Sequence, residues 1–356
     1  MAEQSLTLAP QKAEADEKVI RPVQSYWGVV WQRLRSDWIT MAALALLLFM
    51  VTISLGAPWI GEHVLGFSPT ATNLRQRNDP PTWAAAAWPQ FQAFTLSCQT
   101  SAHCDWSQWG SITSAAVEGL GTCLTAELGG CHWMGTDDAG RDVLTRGVYG
   151  GRISLRIGLW VAGVSMTLGV LMGLISGYYA TTFIDDIVNA IIMTLGSIPL
   201  LFLLIILSRI FQPGPEGLAI LIGLFGWMGL SRLIRGQIFS VRERDYVIAS
   251  RAIGTPAWGI MFKHILPNVS SIIIVSAVFN IAGAIIAEAG LSYLGVGIGP
   301  PLPSWGNMMQ GSLGNFTDAP WLVITPGIFI FLTTLSIYLL GDGLRDALDP
   351  TLQRTS

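Results

Sequence analysis

Runs of about 20 apolar residues, each long enough to cross a bilayer, recur six times along this chain, at 39–60, 155–180, 187–211, 218–234, 270–294 and 321–341. No soluble fold buries so many long apolar segments in 356 residues. Only 12% of the residues are charged, against roughly 25% in a soluble domain, and mean hydropathy is +0.51. In hydrocarbon every backbone polar group must be satisfied internally, so uninterrupted apolar runs of this length are spanning helices. The expected class is all-α and polytopic, with six transmembrane helices. The fourth run is short and expected to be broken by Gly223, Gly226 and Gly229; the third carries Pro199, which predicts a kink.

The basic residues orient the spans. Lys12, Lys18, Arg21, Arg33 and Arg35 precede the first run, Arg232, Arg235, Arg242, Arg244, Arg251 and Lys263 lie in 232–268, and Arg345 and Arg354 lie in the tail. Six spans place these three regions on one side, which the positive-inside rule assigns to the cytoplasm, termini included. The first apolar run begins only at Ile39, too late for a cleaved signal peptide. The expected division is a cytoplasmic segment 1–38, a first helix 39–60, an extracytoplasmic loop 61–150, a five-helix core 151–341 that includes the loop 232–268, and a cytoplasmic tail 342–356.

All four cysteines, Cys98, Cys104, Cys123 and Cys131, fall in the outer loop. That placement predicts disulfides in an oxidising compartment, with the local pairs Cys98–Cys104 and Cys123–Cys131 the expected connectivity. The loop shows no clean helix or strand period. Gly169, Gly173 and Gly177 recur every four residues in the second span, which predicts close approach of a neighbouring helix in the same subunit.

The acids Asp137, Asp138 and Asp142 beside Arg141 read as the start of a helix, capped by Thr136 or Asp137, with Arg141 paired to an aspartate. Polar residues at membrane depth mark pathways or structural hydrogen bonds; here they are Asn280 and Glu288, both candidates for a translocation path. The chain has no Gly-x-x-x-x-Gly-Lys-Ser/Thr phosphate loop, no His-Glu-x-x-His helix and no Cys/His metal pattern. Catalytic residues, bound metal and a nucleic-acid partner are therefore not expected, and the chain reads as a non-catalytic membrane subunit.

Between the fourth and fifth runs, 232–268 is too long and too charged for a mere connector. Tyr246 to Ile253 suits a helix, Gly254 ends it, and Thr255 and Pro256 open the next. Trp258, Ile260, Met261, Phe262 and Ile265 supply an apolar surface, fit either for a groove on a partner or for the membrane plane. Ala249-Ser250-Arg251-Ala252-Ile253-Gly254, followed at fixed spacing by His264-Ile265-Leu266-Pro267-Asn268, resembles the coupling loop of binding-protein-dependent ABC importer permeases. Ile248 stands where that motif has Glu, Ser250 where it has its second Ala, and His264 at an aliphatic position. The segments Met134–Leu144, Tyr149–Leu155, Ala287–Gly295, Pro303–Met308 and Gly341–Pro350 resemble the C-type subunits of dipeptide and oligopeptide permeases.

The resemblance implies a type I ABC importer permease fold in a bacterial inner membrane and import of peptides. Nickel, oligosaccharide or a stand-alone secondary transporter are the alternatives. It implies a homologous permease partner, two ATP-binding subunits that hold ATP and Mg, an extracytoplasmic solute-binding protein and surrounding lipid. The residues it points to for docking the ATPase are Tyr246, Ala249, Ser250, Arg251, Ala252, Gly254, Thr255, Trp258, Phe262, Leu266 and Pro267.

Overall fold

The computed structural model describes residues 26–100, 108–127 and 129–348. Among these the architecture is all-α. Helix α1 (Tyr26–Ser36) and α2 (Trp38–Leu55) are separated by Asp37, whose carboxylate accepts from the backbone of Ile39 and Thr40 and caps α2. The outer loop holds α3 (Trp88–Thr100) and α4 (Trp109–Thr125). The core follows as α5 (Val143–Tyr178), α6 (Phe183–Gly196), α7 (Leu200–Phe211), α8 (Pro215–Val241), α9 (Asp245–Ala252), α10 (Leu266–Tyr293) and α11 (Trp321–Leu348).

Five helices are long and apolar enough to cross a membrane, and the bent pair α6 and α7 brings the number to six. The predicted kink at Pro199 is a break: the axes of α6 and α7 diverge by 78° across Ser197–Pro199. Pro199 has no N–H to donate, and the residue before a proline disfavours helical geometry. The predicted glycine interruption of the fourth span does not occur. Pro215–Val241 is one unbroken helix of 27 residues, in which Gly229 faces open space while Gly223 and Gly226 pack against a neighbour.

That neighbour is α5. A Cβ at Gly169 would meet Leu230 at 2.7 Å, at Gly173 Ile234 at 2.8 Å and at Gly177 Ile238 at 2.7 Å, and Gly223 of α8 meets Val164 in return. The small stripe therefore seats an i, i+4 row of branched side chains from α8, and the four-residue glycine spacing serves packing inside one subunit. Leu174, Leu230, Ile234 and Ile238 join Val247, Ile260, Met261 and Ile265 in one buried cluster at this end of the bundle. At the other end Ile153, Ile157, Val161, Leu218, Ile222 and Leu291 form a second. Interior packing this dense tolerates little change of volume.

Helix α5 has 36 residues, about 54 Å at 1.5 Å per residue, well beyond a hydrocarbon core of about 30 Å. It begins at Val143, three turns before the predicted span, and its N-cap is Asp142, which accepts from Thr145 N at 2.7 Å. Thr136 and Asp137, the expected caps, do other work. Thr136 bonds the backbone near Gln76 and Asp79, and Asp137 holds the turn before the helix by accepting from Ala139 N and Arg141 N. Arg141 Nε pairs with Asp137 at 2.7 Å, as expected, and the buried Arg146 adds a second guanidinium at 3.3 Å.

The outer loop contains helices that its sequence did not announce. Ala87, Phe94 and Ile112 pack α3 against α4, and Gly119 lets α4 pass directly over the backbone of Trp83. The predicted Cys123–Cys131 disulfide is present, with Cα atoms 5.4 Å apart. Cys104 lies outside the described residues, so the Cys98–Cys104 pairing does too. Trp88 meets Trp321 edge-on at 5.2 Å and ties the loop to the start of α11.

Candidate functional site

Three features of the bundle carry chemistry: a turn at the α8–α10 end, a cavity at mid-depth, and a polar knot at the opposite end.

The stretch 232–268 is mostly helix. Its first part completes α8, its middle is α9, and its end runs into α10, leaving only the turns around Arg242–Arg244 and Ile253–Pro256. Gly254 has φ +82°, and the N–H groups of Gly254 and Thr255 donate to the carbonyls of Arg251 and Ser250. This is the two-bond closure of a helix on a left-handed residue, a conformation that favours glycine. After the turn, residues 257–293 form one continuous helix. Just before Pro267 it widens to π-type pairing over Ile260–Ile265, and the Asn268 side chain donates to His264 O at 2.7 Å. A proline inside a helix removes a donor, and local π pairing with side-chain help absorbs the loss. Leu266 and Pro267 thus lie within the helix, and Pro267 is exposed.

The apolar residues here divide into two faces. Ile260, Met261 and Ile265 are buried with Val247 against α8, so they anchor the segment and are not available to a partner. Ser250 is buried as well, donating to Tyr246 O at 2.8 Å with His264 Nε2 at 3.5 Å. The outward face carries Tyr246, Ile248, Ile253, Trp258 and Phe262, with Ile253 83% exposed and the Trp258 and Phe262 rings stacked at 5.6 Å. Ala249, Arg251, Ala252 and Gly254 are also exposed, and Thr255 is half-buried. Ile248 and Ile253 belong to this face and were missing from the residues expected there.

Sequence reading also missed the lock beneath this turn. Asp185 is 2% exposed. It receives Arg235 Nε at 2.7 Å and Nη2 at 2.6 Å, Asn189 Nδ2 at 2.6 Å, Thr181 N at 3.1 Å and the Ser176 hydroxyl. A bidentate guanidinium with further donors satisfies a buried carboxylate fully, and it joins α5, α6 and α8 at one point. Arg242 donates to Ala180 O at 3.1 Å, and Arg251 of α9 lies over the Tyr178 ring at 5.4 Å. The end of α5 is therefore in contact with both the lock and the exposed turn. An Asp185-Asp186 pair ahead of an apolar run and an Arg 50 residues after Asp185 were the only signals.

The two path candidates separate. Asn280 is half-buried at the middle of α10 and lines a cavity of ≈ 500 Å³ with Ser165, Gly226, Gly229, Leu233, Ser276 and Gly283 among others. A Cβ on Gly229 or Gly283 would meet nothing within 4 Å, so these glycines leave space. No hydrogen bond engages the Asn280 amide among the described residues. Glu288 is fully buried and does not line that cavity. Ser154 Oγ donates to it at 2.9 Å and Ser292 Oγ at 2.7 Å, while Trp305 N reaches Ser154 and Ile298 N reaches Ser292. Glu288 thus fastens α5, α10 and the loop 298–305 together. Trp305, also fully buried, adds a bond from its indole to Gly147 O at 2.8 Å. Above it a polar pocket of ≈ 310 Å³ is lined by Asp137, Asp138, Arg141, Arg146, Asn307 and Gln310. Among the described residues no group of His, Cys, Asp and Glu is placed to hold a metal ion.

Comparison with known proteins agrees with this arrangement. Residues 169–354 match the binding-protein-dependent transport system inner membrane component, and residues 25–81 match the N-terminal TM domain of oligopeptide transport permease C. The chain is 32% identical to the dipeptide transport system permease protein of Bacillus subtilis over 98% of its own length and 92% of that protein. It is 40% identical to the oligopeptide transport system permease protein of Haemophilus influenzae over 62% of this chain and 71% of that one. It is 39% identical to the glutathione transport system permease protein of Pectobacterium atrosepticum over 62% and 73%. The matched region contains α8, the Gly254 turn and α10. This polytopic membrane chain belongs to the binding-protein-dependent transport system inner membrane component family of ABC importer permeases.

Proposed function

We propose that this chain is the C-type permease subunit of a peptide importer in a bacterial inner membrane. In this reading a homologous permease chain completes the pore. Two ATPase subunits bind ATP and Mg and grip the outward face around Gly254, and a binding protein delivers solute at the Cys123–Cys131 side. Both termini are cytoplasmic, and the chain itself catalyses nothing. The relatives named for dipeptide, oligopeptide and glutathione transport support a peptide cargo.

The observation that carries the reading is one of continuity. The exposed residues Tyr246, Ile248, Ile253, Trp258 and Phe262 sit on elements whose buried side, Val247 with Ile260 and Ile265, is wedged into α8. The same helix that carries Trp258 and Phe262 carries Asn280 in the open cavity. In this reading a push on the turn passes along that continuous helix, through its π-paired turn before Pro267, to the cavity wall. Energy couples only if the motor binds the two orientations differently, and an ATPase whose grip changes on closure does so.

Asn280 supplies the test. An amide at membrane depth that bonds no partner among the described residues suits a polar cargo or the water that accompanies it. Asn280→Leu in the assembled transporter is expected to lower peptide uptake roughly fivefold, the loss of about one net hydrogen bond. Insertion and basal ATP hydrolysis are expected to stay within about twofold. Unchanged uptake across a panel of peptides would take Asn280 off the path.

A further inference from the structure

Helix α1 has two neighbouring stripes. Val30, 3% exposed, and Leu34 dock on Ile274 and Val275 of α10 and on Leu344, Ala347 and Leu348 of α11. The adjacent stripe runs Trp27, Trp31, Arg35 at i, i+4, i+8, and its tryptophans are 60% and 54% exposed. The row continues past the Asp37 cap into Trp38, 76% exposed, and Ile39, 44% exposed, on the outward side of the membrane-spanning α2. Large indole rings left exposed forfeit burial of apolar area, and an amphipathic ring of this kind is accommodated at the boundary between headgroups and acyl chains. Trp38 and Ile39 begin a helix long and apolar enough to span the membrane, and the tryptophan row of α1 leads into them in sequence.

We propose that α1 lies in the plane of the membrane as an anchor. Trp27 and Trp31 would sit at the headgroup boundary and Arg35 against the phosphates of anionic phospholipid, while Val30 and Leu34 hold α10 at Ile274 and Val275 and the last turns of α11. Basic residues near an anionic leaflet strengthen such binding, and Arg35 closes the exposed stripe. The proposal borrows from the function proposed above only the naming of the leaflet as cytoplasmic. It stands or falls independently of cargo and motor.

The test is nitroxide accessibility on the full chain in vesicles of phosphatidylethanolamine and phosphatidylglycerol. A label at Trp31→Cys is expected to show an oxygen-to-nickel-chelate collision ratio several-fold above that of a label at Gln32→Cys, which points away from both bundle and bilayer. Replacing phosphatidylglycerol by phosphatidylcholine, or adding Arg35→Gln, is expected to lower the ratio at position 31. Equal chelate access at 31 and 32, shielding of 31 from both reagents, or a ratio indifferent to lipid charge would each overturn the proposal. Should a labelled variant fail to insert, quenching of intrinsic fluorescence by acyl-brominated lipid decides instead. The quenched fraction must fall in Trp31→Phe relative to the unaltered chain; an unchanged fraction counts against the anchor.

Discussion

A transporter carrying Gly254→Val in this chain is expected to insert normally and to lose at least about tenfold in ATP-driven uptake. Gly254 sits at φ +82° with open space where a Cβ would project. The penalty is conformational, not steric crowding. A left-handed backbone costs an ordinary residue about 1–2 kcal/mol and a β-branched one more. The chain relieves this by leaving the turn, which opens the bonds from Gly254 and Thr255 to Arg251 and Ser250 and displaces the exposed Ile253. About 1.4 kcal/mol of lost docking is tenfold. Gly254→Asn separates this from a merely damaged fold, since asparagine tolerates the left-handed region; that variant is expected to keep most of the uptake. Equal loss in both, or none in the valine variant, would remove the turn from the mechanism.

Arg235→Ala is expected to be the most destabilising single change at the α9 end. Asp185 is 2% exposed and its strongest donors come from that guanidinium. Removing one partner of a buried pair costs about 3–5 kcal/mol, because the remaining charge is buried alone. Arg235 is itself about one-third exposed, so water reaches the gap and the lower end of that range applies. Against a total stability of roughly 5–15 kcal/mol, the expected result is a clear fall in the thermal midpoint of the purified chain and in the amount recovered from membranes. Arg235→Met combined with Asp185→Asn leaves no unpaired charge and is expected to recover more than half of the loss. A double variant no better than Arg235→Ala would show that the pair contributes geometry alone.

The spans were legible because bilayer thickness imposes a length on them, and the match of 321–341 to Trp321–Leu348 shares its first residue. The Gly169, Gly173, Gly177 stripe was legible for a similar reason: small residues at helical spacing mean close approach, and Leu230, Ile234 and Ile238 fill it. What failed depended on partners distant in sequence. Ile260 and Phe262 are both apolar and two positions apart, so only α8 decides that the first is buried and the second exposed. The Asp185–Arg235 pair spans 50 residues and no local pattern announces it. The helices Trp88–Thr100 and Trp109–Thr125 escaped because their apolar positions follow weak periodicity, and packing of Phe94 on Ile112 supplies the order. Glu288 was read from its cost at membrane depth. Ser154 and Ser292 offset that cost, which fits the structural hydrogen bond expected of a buried acid there and not the path.

The central claim is that a nucleotide-driven subunit holds the exposed face around Gly254. Ile253 is 83% exposed and projects from that face, so a photocrosslinker placed there in the whole transporter, in native vesicles, reads the contact directly. The account predicts one dominant adduct, to an ATP-hydrolysing subunit, whose yield changes when ATP is added. Adducts to lipid alone, or a yield indifferent to nucleotide while uptake proceeds, would contradict it.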